Sequence, residues 1–403
     1  MDRMNILFIV GDTLRADHLG CYGYFRDTSP NIDRVAGEGV LFEDFYNAGA
    51  PTGPGFTCMY TGLYTIHHRF YRFTTPNIRQ VDDTIFTMPE ILRALGYTTA
   101  ALDNLMNQGA RAKHFVRGYE FYINCSPDAF GGAARLLAER LNRRLIPWIR
   151  DHSGERFFLF VHYWDPHLPY IQPEEYRRVF HHEKGSLSDL RVEEAPGGYK
   201  YVPGWGRVGE FPEGEVEFKR QRVSIDLYDG EIRYMDHAIG EVVSTLEDVG
   251  VLDDTLILMT ADHGEQLNQH YGIWGHAGVH DAVTHIPLIM RCPKRLPRGV
   301  KVKGFCQQID LLPTILDLIG SPTDALEIDG ESAMPLLRGE RIRDRIFIEN
   351  AAGLRAVRTD EWKFIADEWA RRLRRGPELY NVREDPMEAI NLAETNKERA
   401  EEL

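Results

Sequence analysis

The sequence predicts an α/β fold: a large mixed, mostly parallel sheet covered by helices on both faces, followed by a small C-terminal α+β subdomain. Short apolar runs that break into polar turns recur at residues 5–10, 157–161 and 256–259, the pattern of strands buried on both faces. Stretches with helical spacing lie between them, Met88 to Leu95 and Tyr228 to Leu246, the second rich in Glu and Asp on its polar side. Alternation of this kind builds a sheet with helices on both sides. Each apolar run is also followed directly by Asp or His residues: Asp12, then His162, Asp165 and His167, then Asp262 and His263. Ligands of open α/β sheets gather beyond the carboxyl ends of the strands, so three strand ends converge on one candidate site.

Taken in order, Ile6–Val10 reads as a core strand ended by Gly11-Asp12, too short for a signal sequence. The segment 183–219 is rich in Gly, Pro and charge without a clear period, and loops of that length commonly act as lids. A Pro, Gly and basic stretch follows Pro293, then an apolar helix near Asp310 to Ile319 and strand-like segments around Ile346 and from Ala356 to Ile365. These last segments are expected to form a second small sheet. The expected organisation is a catalytic domain over 1–320, with a lid insertion at 183–219, and a C-terminal subdomain over 321–403.

Composition narrows the function class. With 43% hydrophobic and 27% charged residues over 403 positions, the chain can bury a large core and lacks the makeup of a disordered segment. Its net charge of -14, from 61 acidic and 47 basic residues, argues against a nucleic-acid partner, which needs concentrated Lys and Arg. The basic run Arg371, Arg372, Arg374 and Arg375 reads as a solvated face. No stretch reaches the roughly 18 apolar residues that span a bilayer, so the expectation is a cytoplasmic protein without a membrane anchor, its self-association left open. Cys21, Cys58, Cys125, Cys292 and Cys306 are widely spaced and without a metal-binding pattern, and read as reduced, mostly packed thiols.

The chemistry sits at the strand ends. Asp12 with the Asp262-His263 pair offers two carboxylates and an imidazole, a set that suits Mn²⁺ or Zn²⁺ rather than an all-oxygen Ca²⁺ cage. An Asp after a strand also serves as a turn or cap residue, and it is the joint occurrence that favours a metal. Among the 15 histidines, His167 and His276 stand out because each follows a turn-forming residue, Pro166 or Gly275, near candidate ligands. A neutral imidazole there binds metal; a charged one steadies a leaving oxygen.

Along nearly its whole length the chain resembles the sulfatase branch of the alkaline phosphatase superfamily. The resemblance is carried in order by NILFIVGDTLRADHLGCYGY, SPNIDRVAGEGVLFEDFYNAGAP, the run from YDGEIRYMDH to TADHGE, GIWGHAG, HIPLIMRCP, QQIDLLPTILDLIG, AVRTDEWKFI and ELYNVREDPMEAINLAE. It implies that fold, hydrolysis of a small-molecule ester, and Asp12, Asp262 and His263 as metal ligands, with Thr13 where many sulfatases have a second aspartate. The nucleophile falls at Thr52 in APTGPGFTCMYTG, where sulfatases carry Cys or Ser with Pro two residues on and Arg two after that. Here the residues are Thr52, Pro54 and Phe56, and oxidising threonine would give a ketone, so no formylglycine is expected; Cys58 is out of register.

Threonine with Asp and His ligands is the pattern of the superfamily's phosphodiesterase and phosphotransferase branches. The implied activity is metal-dependent hydrolysis of a phosphodiester or phosphomonoester through a covalent phospho-threonine. Thr52 would attack and also bind the ion, with His167 or His276 assisting the leaving oxygen. One or two ions are implied, the second held by Asp165, His167 and His276. Alternatives are a sulfatase or phosphonate-ester hydrolase lacking formylglycine, and a metal-binding pseudoenzyme. A membrane-anchored phosphoethanolamine transferase also uses threonine, but no transmembrane segment accompanies it here. Specificity is expected from the 183–219 insertion, the C-terminal subdomain, Phe56, Tyr60 and His67-His68-Arg69, with Phe56 removing a positive charge from the pocket. Arg15 and Asp17 are expected to support the site rather than react.

Overall fold

The computed structural model describes residues 4–71, 80–103, 113–125, 137–181, 193–194, 200–202, 206–207, 215–270, 274–351, 353–367 and 376–403. Most of the 183–219 insertion and the basic run Arg371, Arg372, Arg374 and Arg375 lie outside the described residues.

Eight strands form the main sheet: β1 (Asn5–Gly11), β2 (Val40–Phe42), β3 (Thr98–Asp103), β4 (Phe121–Asn124), β5 (Phe157–Tyr163), β6 (Thr255–Ala261), β7 (Leu288–Arg291) and β8 (Val300–Val302). Their order across the sheet is β8-β2-β7-β6-β1-β5-β3-β4. Only β7 runs against its neighbours β6 and β2, so the sheet is mixed and mostly parallel. The central position of β1 explains its unbroken apolar run: Ile6, Leu7, Phe8, Ile9 and Val10 are each at most 2% exposed. Burying such a side chain contributes about 1.5–3 kcal/mol, which pins the strand in register.

Helices α1 (Pro30–Gly37), α2 (Thr52–Thr61), α3 (Ala138–His152), α4 (Glu215–Asp248) and α5 (Leu311–Leu318) cover the sheet. α4 packs on α1 and α3, while α2 packs on α5 and on the short helix Met88–Ala94, whose start is fixed by a capping box between Thr87 and Glu90. The two groups take opposite faces. Phe8 meets Phe160, which in turn meets Phe56 of α2, whereas Gly11 faces Met235 of α4; alternate positions of one strand point opposite ways.

The second sheet contains β9 (Ile346–Asn350), β10 (Leu354–Arg358), β11 (Trp362–Asp367) and β12 (Glu378–Asn381), antiparallel throughout. Its fifth strand comes from far upstream: Gly49–Ala50 pairs parallel to β9. The C-terminal sheet therefore anchors the chain just ahead of Thr52, with Ala351 N–H donating to the Ala50 carbonyl at 2.7 Å.

Candidate active site

Strand register assembles the site. Gly11 is aligned with Ala261 on one side and Tyr163 on the other, so Asp12, Asp262 and Trp164 leave the sheet at one level. Asp12, Asp262 and His263 are all fully buried, and one ligand atom from each lies within 4.8 Å of the others. Among the described residues this is the three-ligand group able to hold a metal ion.

Backbone geometry prepares these side chains. Thr13 adopts a left-handed φ of 57°, strained for a β-branched residue, and its amide donates to Asp262 Oδ1 at 3.1 Å. The His263 amide donates to the same oxygen at 2.8 Å. Asp262 Oδ2 and both oxygens of Asp12 are buried without a hydrogen-bond partner. Orphaned carboxylate oxygens are costly in a protein interior, and three of them beside an imidazole are the donor set a divalent ion satisfies.

His263 has its tautomer fixed. Its Nδ1–H donates to the Gly264 carbonyl at 2.9 Å, so the neutral ring turns the lone pair of Nε2 toward Asp262 Oδ2 at 3.2 Å and Thr52 Oγ1 at 3.2 Å. Ligand histidines are ordinarily oriented in this way, by a hydrogen bond from the other ring nitrogen. Burial, reinforced by His276, lowers the His263 pKa to about 3, keeping the ring neutral. Burial and the charge of Asp12 push Asp262 up, to about 8. On Asp12 the opposing cost of burial is outweighed by His167 and His162, and its pKa falls. Two adjacent carboxylates without a cation split in this manner because both cannot ionise freely.

Thr52 is the first residue of α2 and is 8% exposed. It stands at the positive end of the helix, where developing negative charge is favoured. Gly55 permits the close seat of this helix: a Cβ there would lie 2.9 Å from the Asp262 carbonyl oxygen. Gln308 closes the same junction, donating to the Asp262 carbonyl at 2.6 Å and accepting from Ala48 N–H at 3.2 Å. Cys58 lies deeper in α2, buried against His68 at 3.4 Å.

His276 stands beside His263, ring centroids 4.5 Å apart, and His167 is 5.3 Å from His276. Glu265, itself buried, contacts His276 Nδ1 at 3.1 Å. Burial opposes the charged ring, but the Glu265 contact prevails and the His276 pKa is raised. Arg15 clasps Asp17 with two nitrogens, at 2.8 and 2.6 Å, and donates to the Glu265 carbonyl at 3.1 Å, a supporting rather than a reacting position.

Two expectations need correction. Asp165 does not gather with His167 and His276 into a second ligand set: its Oδ1 accepts from Ala138 N–H at 2.9 Å. The turn after β5 carries Asp165 away toward α3. Phe56 and Tyr60 do not line a substrate pocket either. Both are at most 1% exposed because α2 is buried on every side, and Phe56 packs among Phe160, Phe115 and His162. The His67-His68-Arg69 stretch divides, with His67 exposed on Asp329 at 2.7 Å and His68 buried. Sequence reasoning missed Asp103, which ends β3, is buried, and bonds His162 Nδ1 at 2.8 Å. Its signal was available, being a fourth strand end that carries an aspartate.

The sequence profile of the sulfatase family matches residues 4–321, and that of the N-sulphoglucosamine sulphohydrolase C-terminal region matches 269–402. The multifunctional alkaline phosphatase superfamily protein PehA of Trinickia caryophylli is 28% identical, over 84% of this chain and 77% of its own. Human iduronate 2-sulfatase is 26% identical, over 84% of this chain and 69% of its own. The phosphonate monoester hydrolase of Agrobacterium radiobacter superposes with a TM-score of 0.75 at 23% identity, covering 99% of this chain and 94% of that one, a likeness of fold.

Proposed function

This chain belongs to the sulfatase family and is an ester hydrolase of it, and from that premise we propose that it cleaves phosphate-type esters with Thr52 as nucleophile. The observation that carries the reading is the 3.2 Å approach of Thr52 Oγ1 to His263 Nε2, beside the orphaned oxygens of Asp12 and Asp262. Asp12, Asp262, His263 and Thr52 would hold a divalent ion, Mn²⁺ or Zn²⁺ by the mixed oxygen and nitrogen donors. Such an ion supplies Lewis acidity, lowering the pKa of the bound hydroxyl and taking up charge on a non-bridging oxygen.

The protein's own groups do the rest. Thr52 presents Oγ at the helix N-terminus for in-line attack, giving its proton to solvent as the new O–P bond forms and the bond from phosphorus to the ester oxygen breaks. His276, held by Glu265, gives that oxygen a proton through Nε2. Water, deprotonated by the same imidazole, then attacks phosphorus, and as the bond to Thr52 breaks its oxygen takes a proton back from solvent to restore the hydroxyl. His167, its ring 5.3 Å from that of His276, would orient the ester.

A sulfate ester is the second reading, favoured by the likeness to human iduronate 2-sulfatase. Rates on bis(4-nitrophenyl) phosphate, 4-nitrophenyl phosphate and 4-nitrophenyl sulfate, measured with added Mn²⁺ or Zn²⁺, separate the two. Phosphoester turnover well above sulfate turnover is expected; sulfate turnover alone would restore a sulfatase, and bound metal without turnover would mark a pseudoenzyme.

A further inference from the structure

We infer that His162, braced by Asp103, is a positioning residue that holds Asp12 in place for the ion. This rests on the metal reading of Asp12 given above and goes beyond it. His162 is the penultimate residue of β5 and is fully buried, as is Asp12; Asp103 is 1% exposed. Its Nδ1 lies 2.8 Å from Asp103 Oδ1 and its Nε2 lies 3.3 Å from Asp12 Oδ2. The register explains the meeting, because Val10 pairs with His162 and Leu102 with Val161, placing the three residues at the same end of adjacent strands.

Aromatic rings pack against the imidazole. Phe56 meets it edge-on and Trp164 lies at a tilt, with ring centroids 4.7 Å from it in each case. Asp103 is held in turn through its second oxygen, which accepts from Tyr122 O–H at 2.6 Å. A hydrogen-bonded chain of Tyr122, Asp103 and His162 thus brings Nε2 of the imidazole, itself without a hydrogen-bond partner, within 3.3 Å of the one ligand carboxylate that has no backbone donor of its own. Asp262 takes two amide hydrogen bonds; Asp12 takes none on either oxygen. His162 Nε2 approaches one of those oxygens, Oδ2, at 3.3 Å.

His162 is not itself gathered with the three candidate ligands, since among the described residues the group within mutual ligand distance comprises Asp12, Asp262 and His263. Its place is beside Asp12, where it would orient the carboxylate. Outer partners of this kind are worth about 10–100-fold in metal affinity or activity.

The test compares metal-stripped wild type with His162→Asn, His162→Gln and Asp103→Asn, titrating Mn²⁺ alone against a fluorescent chelator and then measuring kcat and KM. Asparagine keeps a donor toward Asp103 but none toward Asp12, whereas glutamine reaches toward Asp12. The expected result is Mn²⁺ binding weakened about 10–100-fold in His162→Asn, largely recovered in His162→Gln, and intermediate in Asp103→Asn, with kcat reduced and KM nearly unchanged at saturating metal. Circular dichroism and apo melting temperatures identify any variant that fails to fold, and Asp103→Asn then carries the comparison. Wild-type affinity in a folded His162→Asn overturns the inference. So does a second Mn²⁺ per chain that His162→Asn alone removes, which would make His162 a ligand. Wild type that binds no Mn²⁺ or Zn²⁺, with Asp12→Asn indistinguishable from it, would instead sink the metal reading on which the inference stands.

Discussion

Gly11 and Ala261 are register partners on adjacent parallel strands, and the next residue of each is a buried aspartate. Three of the four oxygens of Asp12 and Asp262 accept no hydrogen bond. The pair is therefore a destabilising element in the metal-free protein and an anchor in the loaded one. Asp262→Asn is expected to raise the melting temperature of the metal-free protein by a few degrees while abolishing tight Mn²⁺ or Zn²⁺ binding. Calorimetry with and without EDTA checks both halves; a metal-free variant less stable than wild type would contradict the account.

The same repulsion sets a pH dependence. Burial and Asp12 raise the Asp262 pKa in the folded chain to about 8, above its value of about 4 when unfolded. A group shifted up stabilises the fold fully below its unfolded pKa and loses that contribution as pH rises through its folded pKa. The metal-free protein should lose stability from about pH 4 to about pH 8, the window of that shift. A bound ion displaces the proton. The gain in melting temperature on adding Mn²⁺ should accordingly be larger at the alkaline end of this window; a gain independent of pH would count against it.

Glu265 raises the pKa of His276 across their 3.1 Å contact. A general acid is lost as pH rises through its pKa, so Glu265→Gln should move the alkaline limb of kcat to lower pH and cut kcat by about 10-fold or more. His276→Ala should cut kcat/KM, which reports the first step, by about 100-fold or more on esters with poor leaving groups and far less on 4-nitrophenyl esters. Equal losses on both would remove His276 from the leaving-group step.

Phe56 fills an aromatic cluster and is fully buried. Truncation to Ala should destabilise the protein by about 3–5 kcal/mol, whereas Phe56→Leu should cost less and leave the ranking of ester substrates unchanged. Denaturant melts and the three-ester comparison read the two effects separately. A changed ranking in Phe56→Leu would return this residue to the substrate pocket.

Local periodicity made the fold legible. Runs such as Ile6–Val10 fit a strand buried on both faces, and the aspartates that follow them marked the candidate site before any register was known. What the sequence withheld was direction. Nothing local says that the turn after β5 sends Asp165 toward Ala138 N–H while His162 faces Asp12, or that the fourth residue of α2 beyond Thr52 points into the core. The strand Gly49–Ala50, which joins the C-terminal sheet to the segment ahead of Thr52, is two residues long and has no period to read.

The most direct test of the central claim is rapid-quench peptide mass spectrometry during turnover of bis(4-nitrophenyl) phosphate, applied to wild type, Thr52→Ser and Thr52→Ala. The account predicts a 4-nitrophenyl-phosphoryl adduct on the peptide containing Thr52 in wild type and on the same position in Thr52→Ser. It predicts no adduct, and at least about a thousandfold loss of kcat/KM, in Thr52→Ala. An adduct on another residue, or Thr52→Ala turning over at the wild-type rate, would contradict it.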